Sequence, residues 1–193
     1  MFGYRVVAPN EAMLISGGLR RPKGAPFRVV TGHGAFVMPI FQKVRFLPLT
    51  EQEATVAEPC VTKQGVTLNV RAVIEFKVGD DPESIISAGQ RFLSDTQQMG
   101  VLTSRIFAGH LRSSISSMSL EEIVTERQQL EIKVLGDATA EMARLGLSIR
   151  SLRLQSIDDM GAGHIAAMAA PHLAAIRRQA KIARARGDAK PPL

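Results

Sequence analysis

Residues 66–78, Val-Thr-Leu-Asn-Val-Arg-Ala-Val-Ile-Glu-Phe-Lys-Val, alternate between apolar and polar with a single exception. Val66, Leu68, Val70, Ala72, Ile74, Phe76 and Val78 fall on one side. Thr67, Asn69, Arg71, Glu75 and Lys77 fall on the other, and Val73 breaks the rule. Side chains switch sides at every residue of a strand, so this pattern dictates a long strand with one dry and one wet face. Gly65, after Lys63-Gln64, gives the strand a sharp entry. A dry face of that length needs a covering layer, and the rest of the chain must supply it.

The segments before it read as short strands broken by turns. Tyr4–Ala8 stops at Pro9-Asn10, Glu11–Ser16 stops at Gly17-Gly18, and Phe27–Val30 meets Thr-Gly-His-Gly. Ala35–Met38 then leads through Pro39 to Lys43–Leu49, followed by Thr55–Ala57 and Cys60–Thr62. Strands spaced so closely suggest an antiparallel meander. After Gly79 the period becomes helical. Asp81-Pro82 predicts a cap and first turn for a short helix towards Gly89. Asp95 is placed to cap a longer helix carrying Met99, Leu102, Ile106, Phe107, Leu111, Ile115 and Met118. Ser119-Leu-Glu-Glu122 matches a capping box, and helical spacing then runs from Leu120 to Leu145, where Gly146 can end the helix in a left-handed turn. Leu147–Ile157 alternates again, with a slip around Ser151, as a strand returning to the sheet. Asp158-Asp159 is placed to cap an Ala-rich helix running to about Arg186, weakened at its start by Gly161, Gly163 and Pro171.

The formal net charge of +6 is unevenly spread. Residues 1–47 carry seven Lys or Arg against Glu11, and the segment from Pro171 carries six against Asp188, so the middle is net acidic. Basic ends attract anionic lipid, nucleic acid or an acidic partner. The lone Cys60 excludes an intrachain disulfide and fits a reducing compartment. No apolar run approaches the roughly 18–20 residues that span a membrane, no charged n-region leads into an apolar core, and Phe2 stands where myristoylation needs glycine. The expectation is a soluble or peripheral chain.

Several segments, taken in order, resemble the flotillin branch of the SPFH family (stomatin/prohibitin/flotillin/HflK-C, or band 7). They are Pro9-Asn10-Glu11-Ala12-Met13-Leu14-Ile15-Ser16-Gly17, Gly34-Ala35-Phe36-Val37-Met38-Pro39, Thr62-Lys63-Gln64-Gly65-Val66 with its strand, and Phe92-Leu93. Ser119 through Gln128, Leu145-Gly146-Leu147 and Ser156-Ile157-Asp158-Asp159 complete the set. The resemblance implies an α+β SPFH domain over residues 1–157, a mainly antiparallel curved sheet with packed helices in two subdomains. A C-terminal helix over 158–186, leading to a coiled coil, and a disordered tail at 187–193 follow from the same reading. It also implies a membrane-associated oligomeric scaffold of microdomains at the cytoplasmic face. Its partners would be further copies or related SPFH proteins, anionic lipid and membrane proteins. The alternative is an adaptor that regulates a membrane protease or another membrane complex, as in prohibitin-like relatives. Relatives place a membrane hairpin ahead of the position of Tyr4 and continue into a long coiled coil. Here Met-Phe-Gly precedes Tyr4 and Leu193 is last, so peripheral attachment is expected.

The residues suggest two sites. Arg20, Arg21, Lys23 and Arg28 would meet lipid phosphates while Phe27, Phe36, Ile40 and Phe41 enter the interface; the opposing reading makes those apolar residues strand core. Each cation near an anionic surface contributes about 1 kcal/mol. In the last helix, Ile176, Ala180 and Ala183 would form a narrow oligomerisation seam. A nucleic-acid arm there is disfavoured, because no aromatic residue is interleaved for stacking. Cys60 could be acylated, as in some animal flotillins, although burial as a small apolar residue is favoured. The histidines His33, His110, His164 and His172 lack the spacing of a metal site, and the acidic pairs Glu121-Glu122 and Asp158-Asp159 stand at helix starts where the macrodipole explains them. No cofactor-binding or catalytic motif is found, so the chain reads as non-enzymatic.

Overall fold

The computed structural model describes residues 3–17, 27–38, 41–167, 170 and 178–181. The alternating segment forms β7 (Thr67–Val78), flanked by β6 (Gln52–Val61) and β8 (Leu147–Asp158) in one antiparallel sheet of order β6-β7-β8. On β7, Leu68, Val70, Ala72, Ile74, Phe76 and Val78 are all buried, and on β6 Ala54, Val56 and Cys60 lie opposite them across the ladder and are buried too. Four helices follow in sequence: α1 (Pro82–Phe92), α2 (Gln98–Ser116), α3 (Leu120–Thr125) and α4 (Arg127–Arg144). They bury Phe92, Met99, Phe107, Leu111, Ile115, Leu130, Val134, Ala138 and Met142 in the same core. Each large apolar side chain fully withdrawn from water contributes about 1.5–3 kcal/mol, so this shared face dominates the stability of the fold.

A second, smaller sheet has the order β3-β2-β5, from β3 (Arg28–Thr31), β2 (Glu11–Ser16) and β5 (Lys43–Pro48). Its central strand reads Ala-Met-Leu-Ile because both sides are covered. Ala12 and Leu14 join the main core, whereas Met13 and Ile15 enter a separate cluster with Val7, Val30, Ala35 and Val37. The last two come from a ribbon of β1 (Gly3–Arg5) paired with β4 (Ala35–Val37), which caps the small core. The expected α+β architecture of antiparallel strands with packed helices is present, and among the described residues its strands are divided into three sheets.

Helix α1 joins the two halves, and glycines set how closely it packs. A Cβ at Gly89 would stand 2.7 Å from Leu14 Cδ1 of the small sheet. At Gly146, which has φ +77°, a Cβ would collide with the Ser84 carbonyl and lie 2.7 Å from the Ala88 backbone nitrogen. Only glycine satisfies both the left-handed turn and the close approach there.

Several sequence expectations are adjusted. The segments Thr55–Ala57 and Cys60–Val61 are parts of the single strand β6, because Pro59 is tolerated on a sheet edge, and Thr62 already belongs to the turn. Helix α1 runs past Gly89 to Phe92, whose burial holds the extra turn in place. Asp95 accepts from the Gln97 backbone N–H at 3.1 Å, one turn ahead of α2, whose cap is Gln97. The helix predicted from Leu120 to Leu145 is broken at Glu126 (φ −114°, ψ 43°). The capping box is present: Ser119 Oγ accepts from Glu122 N–H (3.3 Å) while the Glu122 carboxylate accepts from Ser119 N–H (2.7 Å). The slip around Ser151 is a bulge in the β7–β8 ladder between Ile149 and Ser151, and a second shift lies between Leu154 and Ser156. Asp159 accepts from the Ile165 N–H at 3.0 Å ahead of a helical turn at 164–167, and the remainder of the expected 158–186 helix lies mostly outside the described residues.

Two predictions follow from these contacts. Replacing Gly146 by Ala should cost about 2–4 kcal/mol in urea melts, well above an exposed glycine such as Gly136, where a Cβ meets nothing within 4 Å. The second concerns acid. The Ser84 backbone N–H holds the Asp81 carboxyl below its ordinary range, and the Ser119 backbone N–H does the same for Glu122. Depressed carboxyl pKa values mean stability that is present above about pH 4 and lost as pH falls through the folded-state values. Asp81→Asn, which keeps the cap acceptor, should match the parent at neutral pH and lose less stability between about pH 4 and 2.

Candidate functional site: an exposed aromatic apex

The β1–β4 ribbon turns one face inward and one outward. Ala35 and Val37 point into the small core, so Tyr4, Val6, Phe36 and Met38 alternate to the outside. Tyr4 and Phe36 are register partners with ring centroids 5.3 Å apart and planes tilted by 60°. This is a favourable aromatic pairing, yet it is held in water rather than in a core. Tyr4 is 58% exposed, Val6 and Phe36 each 70%, and Phe41 69%. Phe41 sits on the turn after β4, where its N–H and that of Gln42 both donate to the Met38 carbonyl (3.1 and 2.9 Å) and Gln42 Oε1 accepts from Met38 N–H (2.9 Å).

Glycines of the motif segments shape this apex. Gly34 lies against the Tyr4 ring so closely that any Cβ would strike it, and Gly17, with φ +91°, lies likewise against the Phe41 carbonyl. Those two motif glycines therefore place the apex aromatics. The Thr62–Val66 motif has a different job. Thr62 Oγ1 accepts from Val66 N–H (3.1 Å), Gly65 takes φ +81°, Lys63 N–H donates to the Met118 carbonyl (3.0 Å), and Gln64 Oε1 accepts from Leu120 N–H (3.3 Å). The hairpin turn thus buckles the sheet to the start of α3.

Of the sequence-derived membrane residues, Phe36 and Phe41 are exposed at the apex, and Arg28 is exposed on β3 opposite Ile15. Phe27 is half-buried and packs against the main core, apart from the apex. Arg20, Arg21, Lys23 and Ile40 lie outside the described residues, as do Ile176 and Ala183, while Ala180 is in a described helical turn at 178–181. Tyr4, Val6 and Met38 belong to the exposed face but were not singled out from sequence. Local alternation around Phe36 was legible, but which parity faces water was not, because the β1–β4 register decides it.

Cys60 is wholly buried under α2, and its thiol donates to the Glu58 carbonyl at 3.6 Å. Burial, with the nearby Glu58 carboxylate, pushes its pKa up to about 11 against the opposing pull of Arg112. Among the described residues no three His, Cys, Asp or Glu side chains gather as metal ligands, and no helix is long and apolar enough to cross a membrane. His110 instead meets Glu141 at 3.2 Å, joining α2 to α4.

Antiparallel sheets with packed helices in an α+β unit agree with the fold that the resemblance implied. The chain belongs to the SPFH domain / Band 7 family, whose model matches residues 5–189. Within it the chain is similar to flotillins. It is 31% identical to the Flotillin-like protein FloT of Bacillus subtilis (strain 168), over 96% of this chain and 38% of that protein. It is 28% identical to Flotillin-1 of Drosophila melanogaster over 98% of this chain and 44% of the relative, and 30% identical to Flotillin-1 of Homo sapiens over 78% and 35%. The chain thus spans less than half the length of these relatives.

The position of Cys60 gives a direct check. A thiol reagent at neutral pH should react with the native protein at least about a hundredfold more slowly than with the urea-unfolded chain, as a raised pKa and burial both lower the thiolate supply. Comparable rates would place Cys60 at the surface.

Proposed function

We propose that the protein is a non-enzymatic, flotillin-type scaffold that attaches peripherally to anionic membranes through the aromatic apex and assembles with further copies of itself or related SPFH chains to organise membrane microdomains. The observation that carries this reading is the outward set Tyr4, Val6, Phe36 and Phe41, which stays in water while Ala35 and Val37 of the same ribbon pack into the small core. Leaving such side chains in water forgoes about 1.5–3 kcal/mol each, so a surface that covers them is favoured. Arg28, and in sequence Arg20, Arg21 and Lys23, add a cationic neighbour of the kind that an anionic headgroup layer attracts. A few apolar contacts plus a basic cluster give a weak, reversible attachment for one copy. Many copies on one membrane convert this into stable attachment without any new contact, which is why assembly and membrane binding belong to one mechanism. Clients would be membrane proteins gathered by that assembly, on the cytoplasmic side.

The chain holds one Tyr and no Trp, so its intrinsic fluorescence reports on Tyr4 alone. Adding vesicles that contain anionic lipid should shift Tyr4 emission and shield it from an aqueous quencher, whereas neutral vesicles should do so weakly. Phe36→Asp combined with Phe41→Asp should lower vesicle co-sedimentation by at least about tenfold while leaving the thermal melt close to that of the parent, since neither residue is in a core. Unchanged co-sedimentation of the folded double variant would exclude the apex as the attachment site.

A further inference from the structure

The β6-β7-β8 sheet has two edges, and the fold treats them differently. Along β8 the ladder carries two bulges, and the Glu131 carboxylate of α4 accepts from the Leu154 backbone N–H at 2.7 Å, so that edge is blunted. The β6 edge is open. Thr62 N–H donates to the Val66 carbonyl at 2.9 Å, which fixes the alternation along the hairpin. Even-numbered residues of β6 bond to β7, and odd-numbered residues turn their backbone groups outward. Pro59 obeys the same parity, since a residue without N–H is tolerated where that position faces away from the neighbouring strand. Glu53, Thr55 and Ala57 therefore present free N–H and C=O groups. All three are exposed, and among the described residues no strand pairs with them.

Helix α2 runs beside this edge and leaves a trough. Two adjoining hollows of about 470 and 450 Å³ share Gly109 and Arg112 and extend from Thr55 to Val61 on the strand side. Small residues, Ser104, Ala108, Gly109 and Ser113, keep the helix wall low. Glu53 points with the odd-numbered side chains to the face away from the core, and on the helix side the charge balance is one-sided. Helix α2 contains Arg105 and Arg112 and no carboxylate, and the one acidic residue lining the trough, Glu58, is paired with Arg112. Arg105 is left as an unmatched cation beside free strand backbone.

We infer that this trough binds an extended acidic segment of a partner protein, which adds to β6 as a further strand and sets its carboxylates against Arg105. Backbone pairing to an open edge supplies affinity, and side chains beside it supply selectivity. A second copy fits less well. Two-fold pairing of β6 with itself that avoids Pro59 centres on Thr55, in the hollow that Arg105 also lines, so like charges would meet across the axis. The chain's own segments 18–26 and 182–193 are basic in sequence and are repelled by the same arginines.

The test uses the full chain and a fluorescently labelled peptide of alternating Glu and Val, with versions carrying Gln or Lys in place of Glu. Anisotropy should show the Glu peptide binding about tenfold more tightly than the Gln peptide, the Lys peptide not binding, and the preference fading at high salt. Ala57→Pro removes one outward N–H without touching the β7 ladder and should weaken binding about fivefold to tenfold. Arg105→Glu should erase the preference for Glu over Gln, and Arg153→Glu on the opposite edge should change neither. Equal binding of the Glu and Gln peptides, or unaltered binding by a folded Ala57→Pro protein, would overturn the proposal. If Ala57→Pro fails to fold, Arg105→Glu decides alone, and a retained preference is fatal. If sedimentation shows that Ala57→Pro changes self-association while the parent binds no peptide, the trough is a copy–copy contact and the inference is wrong.

Discussion

The dry face of β7 is the constraint on which the rest depends. Six alternate side chains, from Leu68 to Val78, lose all contact with water, and every helix contributes to covering them or their neighbours. That coverage puts α2 over β6 and α4 beside β8, and it pulls the turn at Gly146 against α1. Helix α1 in turn meets Leu14 of the small sheet, so the position of the half that carries the aromatic apex is inherited from the core of the other half. Packing, rather than ion pairing, sets this geometry. The ion pairs among the described residues, such as Lys77–Asp80 and Arg150–Glu51, are at least partly exposed and contribute little each.

A ribbon that buries one face and leaves aromatics on the other is a way to offer apolar area without sacrificing the fold. The small core of Val7, Met13, Ile15, Val30, Ala35 and Val37 holds the ribbon flat, so Tyr4 and Phe36 cannot turn inward. Gly34 and Gly17 then hold the apex aromatics from beneath. The apex and the β6–α2 trough differ in character. The apex is apolar and aromatic, while the β6–α2 trough combines open strand backbone with Arg105 and Arg112. They draw on different sheets, so each can be altered without the other.

Much of this was legible in the order of residues. The alternation of 66–78 and the slip near Ser151 gave β7 and β8, and Ser119 to Glu122 gave a capping box, because each rests on spacing within a few residues. The ordered motif segments pointed to the family that the comparison then showed. Less was legible at Glu126, where helical spacing continues through a break, and at Pro59, which looked like a stop and is an edge residue in an unbroken strand. Phe27, Phe36 and Phe41 were indistinguishable as apolar residues in short strands. Only the pairing of β1 with β4 sends Phe36 outward, and only the main core draws Phe27 in.

The sequence by itself determined the elements: period, capping residues and glycines act over a few positions and need no partner. It also determined the basic ends and acidic middle, since charge is a property of composition. Tertiary structure alone decided which apolar residues stay in water, which strand edge stays open and which glycines are obligatory. Those outcomes depend on what lies opposite a residue in space, and the residues concerned, Tyr4 with Phe36 and Gly146 with Ser84, are far apart along the chain.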